Sequence, residues 1–382
     1  MDERNHQGGS APWSGGETSV GPETSGKHPG ASGGRGGGGA PAGASAAATG
    51  GKTSAIVGKG LDIGTANLVG ACRNADGSIR ITLERNAFLD VQADVFSKSM
   101  LTKLGVPYVV HEGKLIVLGE PAFELANIFG RETRRPMKGG LVSPNEVDAA
   151  PVMRMLIQKI IGQPQTPGET LYFSVPAESI DCDNNVVYHR GLFEGLLSRM
   201  GYTPHAIGEG HSVVFCELAD KDFTGIGMSF GGGMANVCVA YKTIPALAFS
   251  IARGGDWIDK NVADVLGVPR SRATYLKERG VDLTNPRGRE EEAISIYYHN
   301  LIAYILQNLK ARFESSEGMP TLNEPVDIVC SGGTAMIGGF VDVFREEMGK
   351  VKFPFPVGRC VLAQEPLYSV AKGCLVAAAL GE

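Results

Sequence analysis

Three glycine-rich bends and one aspartate carry the chemistry this sequence offers. LDIGTANLVGACR (61–73), MSFGGGMANVCVAYK (228–242) and VDIVCSGGTAMIGGF (326–340) each place an apolar run before a bend. Successive backbone N–H groups hold polyphosphate where no Cβ blocks close approach. Gly64, Thr65, Ala66 and Asn67 offer one such turn, and Gly231, Gly232, Gly233 and Met234 a second. Together they would grip a triphosphate from two sides. Gly332, Gly333, Thr334 and Met336 would pass close to a flat base and ribose, or to an α-phosphate; an ordinary strand-to-helix bend is their other use. Asp62 ends a buried run beside the first turn. It is placed to bind the waters of Mg2+, a hard ion that wants one or two carboxylates nearby. Capping the turn is the alternative use of an Asp there.

The first two bends read as a repeat. Allowing two extra residues in the second loop sets Gly64 on Gly231, Ala66–Asn67 on Ala235–Asn236 and Leu68 on Val237; Asp62 then falls on Ser229. Two related halves around a shared cleft are expected.

The surrounding pattern is α/β. AIVGKGLDIGTANLVGACRN reads as strand, turn, strand, and TLYFSVPAE as a buried strand. NNVVYHRGLFEGLLSRMGY and SIYYHNLIAYILQNLKARFESS have helical apolar spacing. Residues 1 to about 54 are Gly/Ala/Ser-rich, unable to bury enough apolar surface to offset ordering entropy, and read as a flexible tail. TGGKTS within it ends like a P-loop, but Ala46 stands where that pattern needs glycine and no strand precedes it.

The 382 residues are 43% hydrophobic and 20% charged with net charge −5, enough for one or two substantial cores and no electrostatic footprint for nucleic acid. Seven scattered cysteines without C-x-x-C suit a reducing compartment. The histidines have no metal-ligand spacing. No apolar run reaches the roughly 18 residues of a membrane span, and the N-terminus lacks a secretory apolar region. A cytoplasmic protein is expected.

The three bends resemble the phosphate-1, phosphate-2 and adenosine motifs of the actin-like ATPase superfamily. VLGEPAFELANIFGR, RRPMKGGLVSP, SVPAESIDCDNN, IARGGDWIDKNVADVLG and EPLYSVAKGCLVAA resemble its MreB-like branch, in that family's order over nearly all of 58–382. The resemblance implies an actin-like fold: two RNase-H-like domains flanking a nucleotide cleft that holds ATP and Mg2+. Domain I would span 55–185 with a small subdomain near 85–135, and domain II 186–366 with one near 254–320. Residues 367–382 would form a helix returning to domain I. Lys277 sits where the family has a lysine near adenosine. Glu209 falls where it has an acid before a proline, though Gly210 follows here. Surface charge is the other role for both.

The departures matter. The family's second phosphate motif reads D-x-G-x-G-T, often followed by an acid; here Ser229, Met234 and Asn236 take those places. A serine hydroxyl can bond a metal-bound water but brings no charge. MreB-like proteins place a glutamate after V-P to position the attacking water. Counting from Val175–Pro176, Asp183 takes that catalytic position beside Asp62, with Asp181 the occupant if the register slips. Helix capping is the ordinary use of both. Loss of a positioned acid–base group commonly costs ~10²–10⁴ in rate, so retained ATP binding with slow or absent hydrolysis is expected.

An MreB-like cytoskeletal or scaffold role follows, with self-assembly into filaments or contact with other cytoskeletal or division proteins. A non-polymerising nucleotide-binding adaptor of the FtsA or pilus-assembly type is the alternative. A sugar kinase would need a catalytic aspartate beside a sugar pocket, which cannot be placed; a chaperone would need a substrate-binding domain after AAALGE. The Gly-rich tail cannot form a basic amphipathic helix, so membrane association would be indirect.

Overall fold

The computed structural model describes residues 58–126, 128–183, 185–317, 319–322 and 324–381. The Gly/Ala/Ser-rich stretch and its P-loop-like ending lie outside them.

The chain opens with consecutive antiparallel strands β1 (Lys59–Ile63), β2 (Asn67–Arg73) and β3 (Ile79–Arg85). After β4 (Phe88–Gln92) come α1 (Val95–Lys103), β5 (Val109–His111) and β6 (Lys114–Leu118). Asp90–Val117 is a compact unit of its own, narrower than the expected 85–135, in which β5 pairs antiparallel with β6. Next follow α2 (Glu120–Ala126), the short hairpin of β7 (Met137–Lys138) and β8 (Leu141–Val142), and α3 (Ala149–Ile161). Then come β9 (Thr170–Val175), α4 (Val186–Arg199) and β10 (Thr203–Gly208). Both β9 and β10 join in parallel, giving the order β10-β9-β1-β2-β3.

The second half repeats this plan. After α5 (Glu209–Glu217), strands β11 (Gly225–Phe230), β12 (Ala235–Tyr241) and β13 (Ile244–Ile251) meander antiparallel. Helices α6 (Gly255–Leu266), α7 (Arg270–Glu278) and α8 (Gly288–Ser315) intervene before β14 (Val326–Ser331), α9 (Phe340–Gly349), β15 (Val357–Leu362) and α10 (Ser369–Leu380). With β14 and β15 parallel, the order is β13-β12-β11-β14-β15. Each sheet thus has two antiparallel joins on one side of its first strand and two parallel joins on the other. Since β10 completes the first sheet, the first half runs to Gly208, past the boundary expected at 185.

Strands covered on both faces read as continuous apolar runs; β11 and β14 are buried at every position. Helices α5 and α10 lie between the sheets. Val213, Val214, Val370 and Cys374 share a core with Tyr172 and Ile207 of the first sheet and Cys238 and Val329 of the second. On α10, Ala371 and Leu375 also pack on Val69 and Ala71. Helix α5 reaches β11 and β12 because Gly210 has no side chain: a Cβ there would lie 2.7 Å from Cys238 N. That close seat fixes Glu209, the first residue of the helix.

Candidate functional site

The two hairpin turns are superposable in their hydrogen bonding. Gly64 N donates to Asn67 O at 3.1 Å, and Gly231 N to Met234 O at 2.9 Å. Ile63 pairs with Leu68 and Phe230 with Ala235. The loops are therefore equal in length, and the two-residue insertion expected in the second is absent. Asn67 matches Met234, Leu68 matches Ala235 and Val69 matches Asn236. The shared Ala-Asn dipeptide suggested the other register, but the strand ladder decides it. Asp62 still falls on Ser229.

In both turns the carbonyls are tied back. Asn86 Nδ2 donates to Gly64 O at 2.8 Å and Asn86 N to Ala66 O at 2.9 Å. Gly231 O accepts from Gly255 N at 3.0 Å and Thr334 Oγ1 at 2.8 Å, while Gly232 O accepts from Asp256 N at 2.8 Å. Among the described residues, the N–H groups of Thr65, Ala66, Gly232 and Gly233 have no protein acceptor. Anchored carbonyls with unpaired neighbouring amides make a concave anion-binding surface.

The turns also converge. A Cβ on Gly232 would lie 3.2 Å from that of Ala66, and one on Gly233 would lie 2.6 Å from Thr65 Oγ1 and 2.3 Å from Gly140 N. Gly140 N donates to Thr65 Oγ1 at 3.0 Å, so the tip of the β7–β8 hairpin sits on both turns. Gly332, at φ 93°, packs on Phe230, and Thr334 of that third bend is the residue bonded to Gly231 O.

Beside the turns stand two acids, one from each half. Ser174 Oγ accepts from Ile63 N and donates to Asp62 Oδ1, both at 2.8 Å. Burial pushes the Asp62 carboxyl up to about 6, against the pull of that hydrogen bond. Glu209 accepts from Ser229 Oγ at 2.9 Å. Burial raises its carboxyl, and the charge of Asp62 raises it further; the bond from Ser229 opposes this. Asn236 is 1% exposed; its Oδ1 accepts from Ala177 N at 2.9 Å, and its Nδ2 is buried without a partner. Two carboxyls destabilised in their charged form, with an unpaired donor beside them, form oxygen-rich surroundings that fit Mg2+ held through water.

The other candidates divide. Asp181 accepts from Ala252 N at 2.7 Å and Ser179 Oγ at 3.0 Å, with Arg253 3.8 Å away. It helps fasten residues 177–181 to the edge of β13, where Ser179 bridges Ser250. Asp183 is exposed, two residues before the α4 cap Asn185, and has no polar partner among the described residues. Lys277 pairs with Asp259 at 2.7 Å and lies 3.3 Å from Gly255 O, at the start of α6. Gly333–Met336 forms one 3-10 turn in which Tyr298 donates to Thr334 O at 3.1 Å and Met336 is exposed. Met234 is buried against the hairpin tip, where a Cβ on Gly140 would meet its Sδ at 2.2 Å. Sequence reading missed Asn86, Ser174 and the Ser229–Glu209 bond. Each depends on a contact between distant segments, and none has a local signal.

The Volactin family model matches residues 57–378. No curated protein matches the chain. Among solved structures, a MamK double helical filament is 19% identical, with 83% of this chain and 97% of that one covered at TM-score 0.64. MreB 5 of Spiroplasma citri bound to AMPPNP is 14% identical, with 84% and 95% covered at TM-score 0.60. A non-polymerising MamK mutant bound to AMPPNP is 18% identical, with 84% and 98% covered at TM-score 0.54. At these identities the likeness is one of fold, which is actin-like. No helix among the described residues is long and apolar enough to cross a membrane.

Proposed function

The chain belongs to the volactin family, and from that premise we propose that it binds ATP with Mg2+ between its two halves, hydrolyses it slowly and assembles with itself as a cytoskeletal scaffold. The observation that carries this is the pair of mirrored turns, with carbonyls anchored and amides unpaired, beside Asp62 and Glu209. The AMPPNP in MreB 5 and in a MamK mutant supports a nucleotide there, and the MamK filament supports self-assembly.

Thr65, Ala66, Gly232 and Gly233 would bind phosphate through their backbone amides. Lys277, Gly333, Thr334 and Met336 would lie towards the nucleoside. Asp62 and Glu209 would hold the waters of Mg2+, with Ser229 and Asn236 orienting them. When bound, Mg2+ supplies charge neutralisation on the phosphate oxygens.

Slow hydrolysis follows from three features. Ser229 is uncharged where the matching residue of the first half is Asp62. Asp181 is engaged in fastening the halves, and Asp183 points from an exposed loop. Calorimetry with ATP, with and without Mg2+, tests binding. Phosphate release at ordinary actin-like rates would contradict the slow turnover. Sedimentation with ATP separates the scaffold from a non-polymerising adaptor of the FtsA type, which the altered Ser229 and Met234 favour; a protein that binds ATP but never pellets is the adaptor. A role in cell shape, with cytoskeletal or division partners in the cytoplasm and membrane contact only through them, belongs to the scaffold form.

A further inference from the structure

Two adjacent arginines precede the hairpin that sits on the phosphate turns, and they diverge. Arg134 turns into its own half: it pairs with Glu146 and Asp148, stacks 4.6 Å over the Phe88 ring and exchanges backbone hydrogen bonds with Phe88. Arg135 crosses to the other half, where its Nη1 lies 3.1 Å from both carboxylate oxygens of Asp256. Asp256 is no distant partner, since its own N–H is the donor that holds Gly232 O. From Pro136 the chain runs directly into the hairpin whose Gly139 and Gly140 press on Gly233, Met234 and Thr65. The guanidinium is thus carried at the root of the cover and tethered at the rim of the second turn.

The Arg135–Asp256 pair is weakly held. Both side chains are more than a third exposed, at 37% and 42%, and pairs of that kind contribute little to stability. Asp256 does not need the arginine, because a carboxylate in the first turn of a helix is stabilised by the helix itself. Two other cations near the turns are committed, while Lys138 of the hairpin is exposed. Lys277 is held by Asp259 at 2.7 Å, and Arg253 is stacked 3.5 Å over the Tyr304 ring and near Asp181. A triphosphate entering beside Asp62 and Glu209 brings more negative charge than Mg2+ removes, so a further cation at the rim would be favoured.

Building on the nucleotide reading above, we propose that Arg135 is a phosphate-binding residue that exchanges Asp256 for the terminal phosphate of a bound nucleoside triphosphate, making the site favour triphosphate over diphosphate, with Asp256 as the competing anion. Guanidinium–phosphate hydrogen bonds are charge-assisted and geometrically selective.

The test is calorimetric binding of MgATP and MgADP to the full chain, to Arg135→Ala and to Asp256→Asn. Arg135→Ala should weaken MgATP about tenfold and MgADP much less, the scale of one charge-assisted contact. Asp256→Asn should tighten MgATP by a few-fold, roughly the strength of the pair it releases. This opposite sign is what a purely structural tie between the halves cannot produce, and a gain in affinity cannot arise from misfolding. If both variants weaken ATP alike, or if the ATP-to-ADP preference is unchanged in Arg135→Ala, Arg135 is only a tie and the proposal fails while nucleotide binding stands. If the unmodified chain binds neither nucleotide, the reading of the site itself fails.

Discussion

Replacing Glu209 with Gln should stabilise the ligand-free protein and weaken its Mg2+-dependent hold on nucleotide. Burial first, and then the charge of Asp62, lift the Glu209 carboxyl far above the usual range. The native state therefore keeps a proton that the unfolded chain releases near pH 4, and unfolding free energy falls as pH rises from there towards the native value. With the native carboxyl pushed up to about 8, roughly 4 kcal/mol is withheld at pH 7.5. Gln cannot ionise, yet its amide oxygen can still accept from Ser229 Oγ. On the order of 4 kcal/mol should return at pH 7.5 and almost nothing at pH 4.5, a melting shift of roughly 8 °C or more at the higher pH. Thermal melts at both pH values read this directly, and a Mg2+ titration of ATP binding reads the opposite effect. A Gln variant that melts lower at pH 7.5, or shifts equally at both pH values, would show that the fold does not resist ionisation of Glu209.

Three further outcomes follow from named contacts. Ser229→Asp places a third carboxyl against Glu209 where a hydroxyl donated, so the ligand-free protein should lose roughly 1–3 kcal/mol at pH 7.5 while Mg2+ binds more tightly; equal Mg2+ titrations would remove the idea. Asn86→Ala removes a fully buried side chain and its bond to the half-buried Gly64 O, at a cost of about 1–3 kcal/mol, and should weaken ATP by loosening the first turn. Unchanged affinity in that variant would mean that the anchor is irrelevant to binding. Lys59 bonds Ile161 O, Gln163 O and the Tyr202 hydroxyl and pairs with buried Glu169. Lys59→Met should cost ~3–5 kcal/mol in denaturant melts, since a buried partner is left uncompensated, with ATP affinity untouched.

The glycine bends and the place of Asp62 beside the first are legible in the sequence because a turn that must admit close backbone approach needs glycine within a few residues. Apolar runs likewise mark β1, β9, β11 and β14, whose residues are mostly buried. What could not be read is what depends on pairs far apart in the chain. The repeat register misled because Ala66–Asn67 and Ala235–Asn236 look alike, whereas the ladder Phe230 to Ala235 is set by hydrogen bonds. Glu209 followed by Gly210 looked like a broken motif. In the fold, Gly210 is what lets α5 approach β12, and it is that approach which brings Glu209 to Ser229. The halves divide near Gly208 because β10 pairs with β9, a partnership no stretch near 185 announces.

The repeat has also become unequal in a way that bears on function. The first turn is anchored from within its own meander, by Asn86 just after β3. The second is anchored from elsewhere, by the first amides of α6 and by Thr334 of the third bend. Gly231 O is thus a shared acceptor between the bend proposed for the nucleoside and the turn proposed for phosphate, while Asp256 N ties Gly232 to the helix that Arg135 reaches. A displacement of Thr334 or of α6 must move the second turn, but neither holds the first. The acid in the duplicated position is Asp62, beside the self-anchored turn. The position that lost it, Ser229, lies on the turn coupled to its surroundings, and it recovers an acid only through Glu209. On the proposed reading, the first half would provide the self-anchored acidic side of the site, and the second the side coupled to the nucleoside bend and to α6.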